Sequence, residues 1–164
     1  MSEAATLWVG SDHAGYDLKQ WLQQKQVQGL ESEWIWKDMG CHGPDAVDYP
    51  PIARLVCEAL LAQGPSGGLG ILICGSGNGM CMVANRHPGI RAALCWTPEL
   101  VALARSHNNA NVLCLPARFV SLELALQMVQ TFVATPFEGG RHQRRVALIE
   151  AAQQSRSVTP TAPN

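Results

Sequence analysis

The stretch Gly70-Ile71-Leu72-Ile73-Cys74-Gly75-Ser76-Gly77-Asn78-Gly79 decides the fold. An apolar run bounded by glycines reads as a strand buried on both faces, which a parallel sheet covered by helices provides. The loop that follows can present several backbone N–H groups at a helix start, to an anion or a developing oxyanion. It can equally be a tight turn whose glycines supply positive φ. It is not a P-loop, because no Gly-Lys-Ser/Thr follows. Nor is it a dinucleotide fingerprint: Met80 stands where the third glycine belongs, and the strand is not the first.

Working outward, residues 6–10, 34–36, 91–95 and 112–115 read as further strands. Helices are predicted over 14–25, from Pro50-Pro51 to about 61, from the glycine loop to 85, and from the Thr97 cap with Pro98 behind it. Two more are predicted, from the Ser121 cap to about 133 and over 141–153. Five strands alternating with helices predict the α/β class. The expected architecture is a single-domain three-layer sandwich around a five-stranded parallel sheet, Rossmann-like in layout. Residues 1–153 form the expected domain. Residues 154–164, rich in Ser, Thr, Pro and Ala, read as a disordered tail.

Of 164 residues, 12 are basic and 13 acidic, so the net charge of -1 invites neither nucleic acid nor anionic lipid. Charged residues are 15% of the chain, against roughly 25% in typical domains. Part of the surface is therefore expected to be covered by another subunit. Arg outnumbers Lys 9 to 3, and Arg suits phosphate forks and interfaces. The N-terminus lacks the basic segment of a signal peptide. The charge-free stretch 59–85 is broken by Gln63, Pro65, Ser66 and glycines, so no membrane span is expected. The six cysteines form no Cys-x-x-Cys pair and no zinc spacing. They are expected to be reduced thiols of a cytoplasmic protein, without a metal or a cofactor.

Ligands on such sheets bind at the carboxyl ends of strands. That rule selects Ser11, Asp12 and His13, then Asp45, Asp48 and Tyr49, then Cys74 with its loop, then Trp96 and Thr97, then Pro116 and Arg118. A helix N-terminus favours a thiolate, so a cysteine at the position of Cys74 can act as nucleophile or general base. Read structurally, it is a buried strand cysteine. His107, at a helix end, can be an acid or base, or simply a cap favoured by the helix dipole. Arg141 and Arg145 share a helix face, a mildly unfavourable pairing unless an anion such as a sugar phosphate lies between them. The alternative is a solvated basic face. Arg144 is expected to point elsewhere and make a structural pair.

Taken together, Gly10-Ser11-Asp12-His13-Ala14-Gly15, Val47-Asp48-Tyr49-Pro50, Ile73 through Gly79, Ala84-Asn85, Gly89-Ile90-Arg91-Ala92, His107-Asn108 and Arg141-His142-Gln143-Arg144-Arg145 closely resemble ribose-5-phosphate isomerase type B. The galactose-6-phosphate isomerase subunits belong to the same group. The likeness runs from about residue 7 to about 151. It implies a metal-free aldose–ketose isomerase of the pentose phosphate pathway, working through an enediolate. By position, Cys74 would shuttle the proton. Gly75, Ser76, Gly77, Asn78 and Gly79 would hold the enediolate oxygens. His107, aided by Asp12, would open the sugar ring. His13, Arg118, Arg141 and Arg145 would bind phosphate, and Asn108 a sugar hydroxyl. Some members carry a glutamate base just after the loop. Here that position is Met80, so the chain looks like the cysteine-dependent branch, although its loop and Arg-rich segment resemble the glutamate branch.

The resemblance also implies a homodimer, or a tetramer, that pools site residues between subunits. It leaves open a hexose-6-phosphate isomerase acting on allose or galactose 6-phosphate, with loop 41–49 setting substrate length. A non-catalytic sugar-phosphate sensor could use the same pocket, against which stands the retention of Cys74 and His107.

Overall fold

In chain order the elements are β1 (Ala5–Ser11), α1 (Tyr16–Gln26), β2 (Trp34–Asp38), α2 (Tyr49–Ala62), β3 (Leu69–Cys74), α3 (Asn78–Ala84), β4 (Ala92–Leu94), α4 (Pro98–Asn108), β5 (Val112–Pro116), α5 (Leu122–Ala134) and α6 (Arg141–Gln154). The computed structural model describes residues 5–26, 34–64 and 68–154; the expected tail beyond 154 lies outside the described residues. All strand pairs are parallel, in the order β2-β1-β3-β5-β4. The expected α/β class and parallel five-stranded sheet are therefore present. β4 is shorter than its sequence pattern, three residues rather than five.

The period-two pattern of the central strands sorts side chains between two cores. Ile71 and Ile73 of β3, with Leu113 and Leu115 of β5, pack against α1, α4 and α5. Leu72 and Cys74, with Val112 and Cys114, pack against α2 and α3. Helices thus cover both faces, making three layers. Every residue of β3 is buried, which is why the run that opened the sequence reading carries no charge. A fully buried side chain such as Phe132 or Leu113 contributes roughly 1.5–3 kcal/mol. The sequence-read caps form as expected: Thr97 Oγ1 accepts from the Leu100 N–H at 3.4 Å, and Ser121 Oγ from the Leu124 N–H at 3.1 Å.

One buried charge went unread in the sequence. Lys19 of α1 has no exposed surface. It donates to Asp38 Oδ1 at 2.5 Å and to the Cys41 carbonyl at 2.6 Å, while Asp38 also accepts the Gly40 N–H. The chain after β2 is further laced to the end of β1, Ser11 N–H to Gly40 O and Cys41 N–H to Ser11 O, both 2.7 Å. The ion pair therefore fixes how two loops leave the sheet. The first carries Asp12 and His13, and the second leads into α2 at Tyr49.

Candidate active site

From β1 the chain steps to β2 on one side and returns to β3 on the other, so β1 and β3 flank the point where strand order reverses. A crevice opens at the carboxyl end of such a switch point. Here it is a cleft of about 460 Å³ lined by Asp12, His13, Ala14, Tyr49, Cys74, Gly75, Ser76, Gly79, Arg118 and Phe119. The Asp12 N–H donates to the Ile73 carbonyl at 3.1 Å, and Asp12 Oδ1 accepts the Gly15 N–H at 3.1 Å, which fixes its carboxylate. His13 Nδ1 accepts the Val47 N–H at 3.3 Å. That leaves the ring proton on Nε2, a donor suited to a phosphate oxygen. The turn after β5 is tied to the glycine loop, Ala117 N–H to Cys74 O and Arg118 N–H to Gly75 O. The Arg118 guanidinium lies over Gly75, 3.2 Å from where a Cβ would stand.

Within the loop the glycines do different jobs. Gly77 caps α3 with φ of +74°, a left-handed conformation that glycine adopts without steric cost. Gly79 lets the Tyr49 ring close over the loop; a Cβ there would stand 2.5–2.8 Å from ring atoms. Ser76 Oγ accepts the Asn78 N–H at 3.4 Å. Gly77 and Asn78 therefore frame the cleft instead of lining it. Asp45, Asp48, Trp96 and Thr97, which the carboxyl-end rule also selected, do not line it either. Trp96 instead meets the exposed Phe119 edge-on, with ring centroids 5.6 Å apart. Phe119 was missed in the sequence, and Tyr49 was selected there without a role. The Asp-Tyr-Pro motif was the available sign of Tyr49.

The cysteines are free. Burial, with Glu58 adding to it, pushes Cys57 up to about 12. Burial likewise pushes Cys95 up to about 11. Cys81, half-buried on α3, is pulled down to about 7 by a hydrogen bond from Cys114, against its burial, with the Leu94 backbone and Asn85 assisting. Cys114 is held well above the ordinary thiol value as the donor of that bond and by its own burial.

The remaining sequence-selected residues gather elsewhere. α4 runs antiparallel to its flanking strands, so its C-terminal end returns to the edge where strands begin. The Asn111 carbonyl accepts the Gly70 N–H, at the start of β3. Gly70 to Cys74 spans about 13 Å at the usual strand rise, which separates His107 and Asn108 from the thiol cleft. At this opposite edge the His107 ring stacks on that of buried His142, centroids 4.1 Å apart and planes inclined by 9°. Glu138 Oε2 lies 3.8 Å from His107 Nε2 and 3.7 Å from His142 Nε2. Arg141 and Arg145 are exposed on the first turns of α6. Arg144 is exposed as well, and the structural pair expected for it is absent among the described residues. Asn108 lines a small cavity with Asn85, Arg91 and Ile149.

The ligand atoms of His107, Glu138 and His142 lie within 4.8 Å of one another. Stacked rings, however, carry their lone pairs in two nearly parallel planes. Those do not converge on an ion about 2.0 Å from each nitrogen. Glu138 had no role in the sequence reading; its spacing of four from His142 was the available sign. Among the described residues no helix is long and apolar enough to cross a membrane.

A family profile described as Ribose/Galactose Isomerase matches residues 7–149. The chain is similar to ribose-5-phosphate isomerase B of Escherichia coli K12, 41% identical over 149 residues that cover 90% of this chain and 96% of that one. A solved ribose 5-phosphate isomerase from Thermotoga maritima superposes with a TM-score of 0.83 at 43% identity, covering 91% of this chain and 99% of that one. Ribose-5-phosphate isomerase B from Mycoplasma genitalium, solved with bound ribulose-5-phosphate, gives a TM-score of 0.86 at 39% identity, with 93% and 99% covered.

Proposed function

The chain belongs to the ribose/galactose isomerase family, and from that premise we propose that it interconverts ribose 5-phosphate and ribulose 5-phosphate by proton transfer through an enediolate. The observation that carries this reading is the switch-point cleft, which one thiol, a glycine loop and two N–H donors, His13 and Arg118, line together. Ring opening comes first. His107 gives a proton to the ring oxygen as the C1–O4 bond breaks, and Asp12 receives the anomeric hydroxyl proton as C1=O1 forms. The Cys74 thiolate then takes the C2 proton. The released electron pair makes the C1=C2 bond and leaves the charge on O1. The backbone N–H groups of Gly75, Ser76 and Gly79, which line the cleft, and the Ser76 hydroxyl are the donors offered to that charge. Cys74 returns the proton to C1 as the C1=C2 electron pair takes it up and C2=O2 forms, and the O2 proton passes to O1, which gives the ketose.

His107, Asn108, Arg141 and Arg145 stand at the far edge of the sheet, so a second copy of the chain supplies them. Each copy gives its thiol cleft to one site and its histidine–arginine edge to the other, as a two-fold homodimer allows. Arg141 and Arg145 then join His13 and Arg118 around one phosphate. The scarcity of charge, 15% of residues, fits a surface covered in this way. Free thiols fit a reducing compartment such as the cytoplasm.

The test is turnover by the full-length protein of ribose 5-phosphate and of allose 6-phosphate, each in excess chelator. The expected result is a higher kcat/KM for the pentose, unaffected by chelator. A preference for the hexose overturns the substrate assignment. Binding of both without turnover overturns the enzyme reading in favour of a sensor.

A further inference from the structure

Glu138 stands outside the residues given a role above, yet three observations converge on it. Its backbone N–H donates to the Ser106 carbonyl at 3.0 Å, which ties the segment before α6 to the last turn of α4, next to His107. Its Oε2 lies at the edge of the stacked pair, 3.8 Å from His107 Nε2 and 3.7 Å from His142 Nε2. Among the described residues it is the only acid within 4 Å of His107. His142 completes the arrangement: its ring is buried and stacked flat against His107. Burial, together with His107 and Arg141, pushes the His142 imidazole below its ordinary value.

We propose that Glu138 is a positioning residue for ring opening: its carboxylate and the flat face of His142 fix the His107 ring, and put a negative charge beside the imidazole that delivers the proton. This rests on the reading of His107 as the ring-opening acid. A lone exposed imidazole samples many rotamers. A wall on one face and a carboxylate at the edge remove most of them before substrate arrives.

The consequence is selective. Ribose 5-phosphate is cyclic and needs ring opening. Ribulose 5-phosphate has no free hydroxyl that can close a furanose on its carbonyl, so it enters as the open chain. Exchange of its C1 hydrogen with solvent needs only Cys74 and the enediolate. The experiment uses full-length Glu138→Gln and Glu138→Asp, with two readouts: ribose 5-phosphate consumption, and deuterium incorporation at C1 of ribulose 5-phosphate followed by NMR. For Glu138→Gln the expected result is a fall in kcat for ribose 5-phosphate of about tenfold, at nearly unchanged KM and exchange rate. Glu138→Asp, which keeps the charge, recovers part of the ribose rate, even if the Gln variant melts lower. Equal losses in both readouts, or none in either, overturn the proposal. His107→Ala separates the two layers. It should show the same split more strongly. If it suppresses exchange as much as consumption, the assignment of His107 fails on its own account, and this role for Glu138 fails with it.

Discussion

The two edges of the sheet differ in how their chemistry is held. At the carboxyl edge Cys74, Asp12 and the glycine loop are locked by strand register and backbone hydrogen bonds, and Cys74 and Asp12 are buried. At the opposite edge His107, Arg141 and Arg145 project from helix ends, Arg141 and Arg145 exposed and His107 partly so. One edge has a proton acceptor and oxyanion donors but few cations. The other has an acid and cations but neither thiol nor nest. On the proposed reading, the difference makes each edge half of a reaction. A rigid half made from strand ends fits a group that must meet a carbon-bound proton closely. An exposed half made from helix ends fits groups that must dock into another molecule's cleft.

The largest effect tests that division. Cys74→Ala should lower kcat by about 10³-fold and abolish C1 exchange, while titration calorimetry still detects ribulose 5-phosphate, because the phosphate donors are untouched. His107→Ala should also be nearly inactive on ribose 5-phosphate. Co-expressed, the two variants should recover roughly a quarter of wild-type activity, because half the dimers are mixed and each mixed dimer has one intact site. No recovery would break the comparison, for the halves would then have to act within one chain.

The sequence made the rigid half legible and left the other half scattered. Strand ends follow a rule: the apolar run 70–74 and the glycines behind it locate Cys74 and Ser76 without knowledge of any contact. The same rule overselected. Asp45, Asp48 and Trp96 follow strands yet stay out of the cleft, because a loop's length after a strand says little about where its side chains end up. His107 and the arginines lie where no strand-end rule points. Only the motif resemblance picked them out, and the direction of α4 was needed to place His107 at the end of the strands away from Cys74. The pairing of Glu138 with two histidines depends on the Glu138–Ser106 backbone bond, a long-range contact that hydrophobic periodicity does not encode. Nor does spacing reveal which thiol is drawn toward ionisation. Cys81 is singled out by Cys114, 33 positions away, and by the end of β4.

The scaffolds of the two halves should also differ in stability, and Lys19 gives the larger change. Its ammonium has no exposed surface and is held by Asp38 and the Cys41 carbonyl. Lys19→Met leaves the Asp38 carboxylate, itself only 20% exposed, without its counter-charge. The expected loss is about 3 kcal/mol in urea unfolding. Lys19→Met combined with Asp38→Asn should recover part of it, since the second change removes the stranded charge. A loss below about 1 kcal/mol in the single variant would show the pair to be no more than a surface contact, and the rigidity ascribed to the carboxyl edge would need another source.

The smallest effect belongs to the matching brace at the opposite edge. Glu150, near the end of α6, accepts from Arg91 at 2.5 Å and from the Gly89 N–H at 3.2 Å. It thereby holds the helix that carries Arg141 and Arg145 against the start of β4. Both side chains are partly exposed, 17% for Arg91 and 27% for Glu150, so solvent screens the charge. Arg91 also keeps the Asn109 and Gly89 carbonyls as acceptors. Glu150→Gln, which retains an acceptor for the Gly89 N–H, should therefore cost only about 1 kcal/mol. Its kinetic signature should be a KM for ribose 5-phosphate raised by about twofold at unchanged kcat, because a slackened α6 shifts the phosphate-binding arginines but not Cys74. An equal or larger fall in kcat would mean that α6 governs the chemical step as well, and that the exposed half is held as tightly as the buried one.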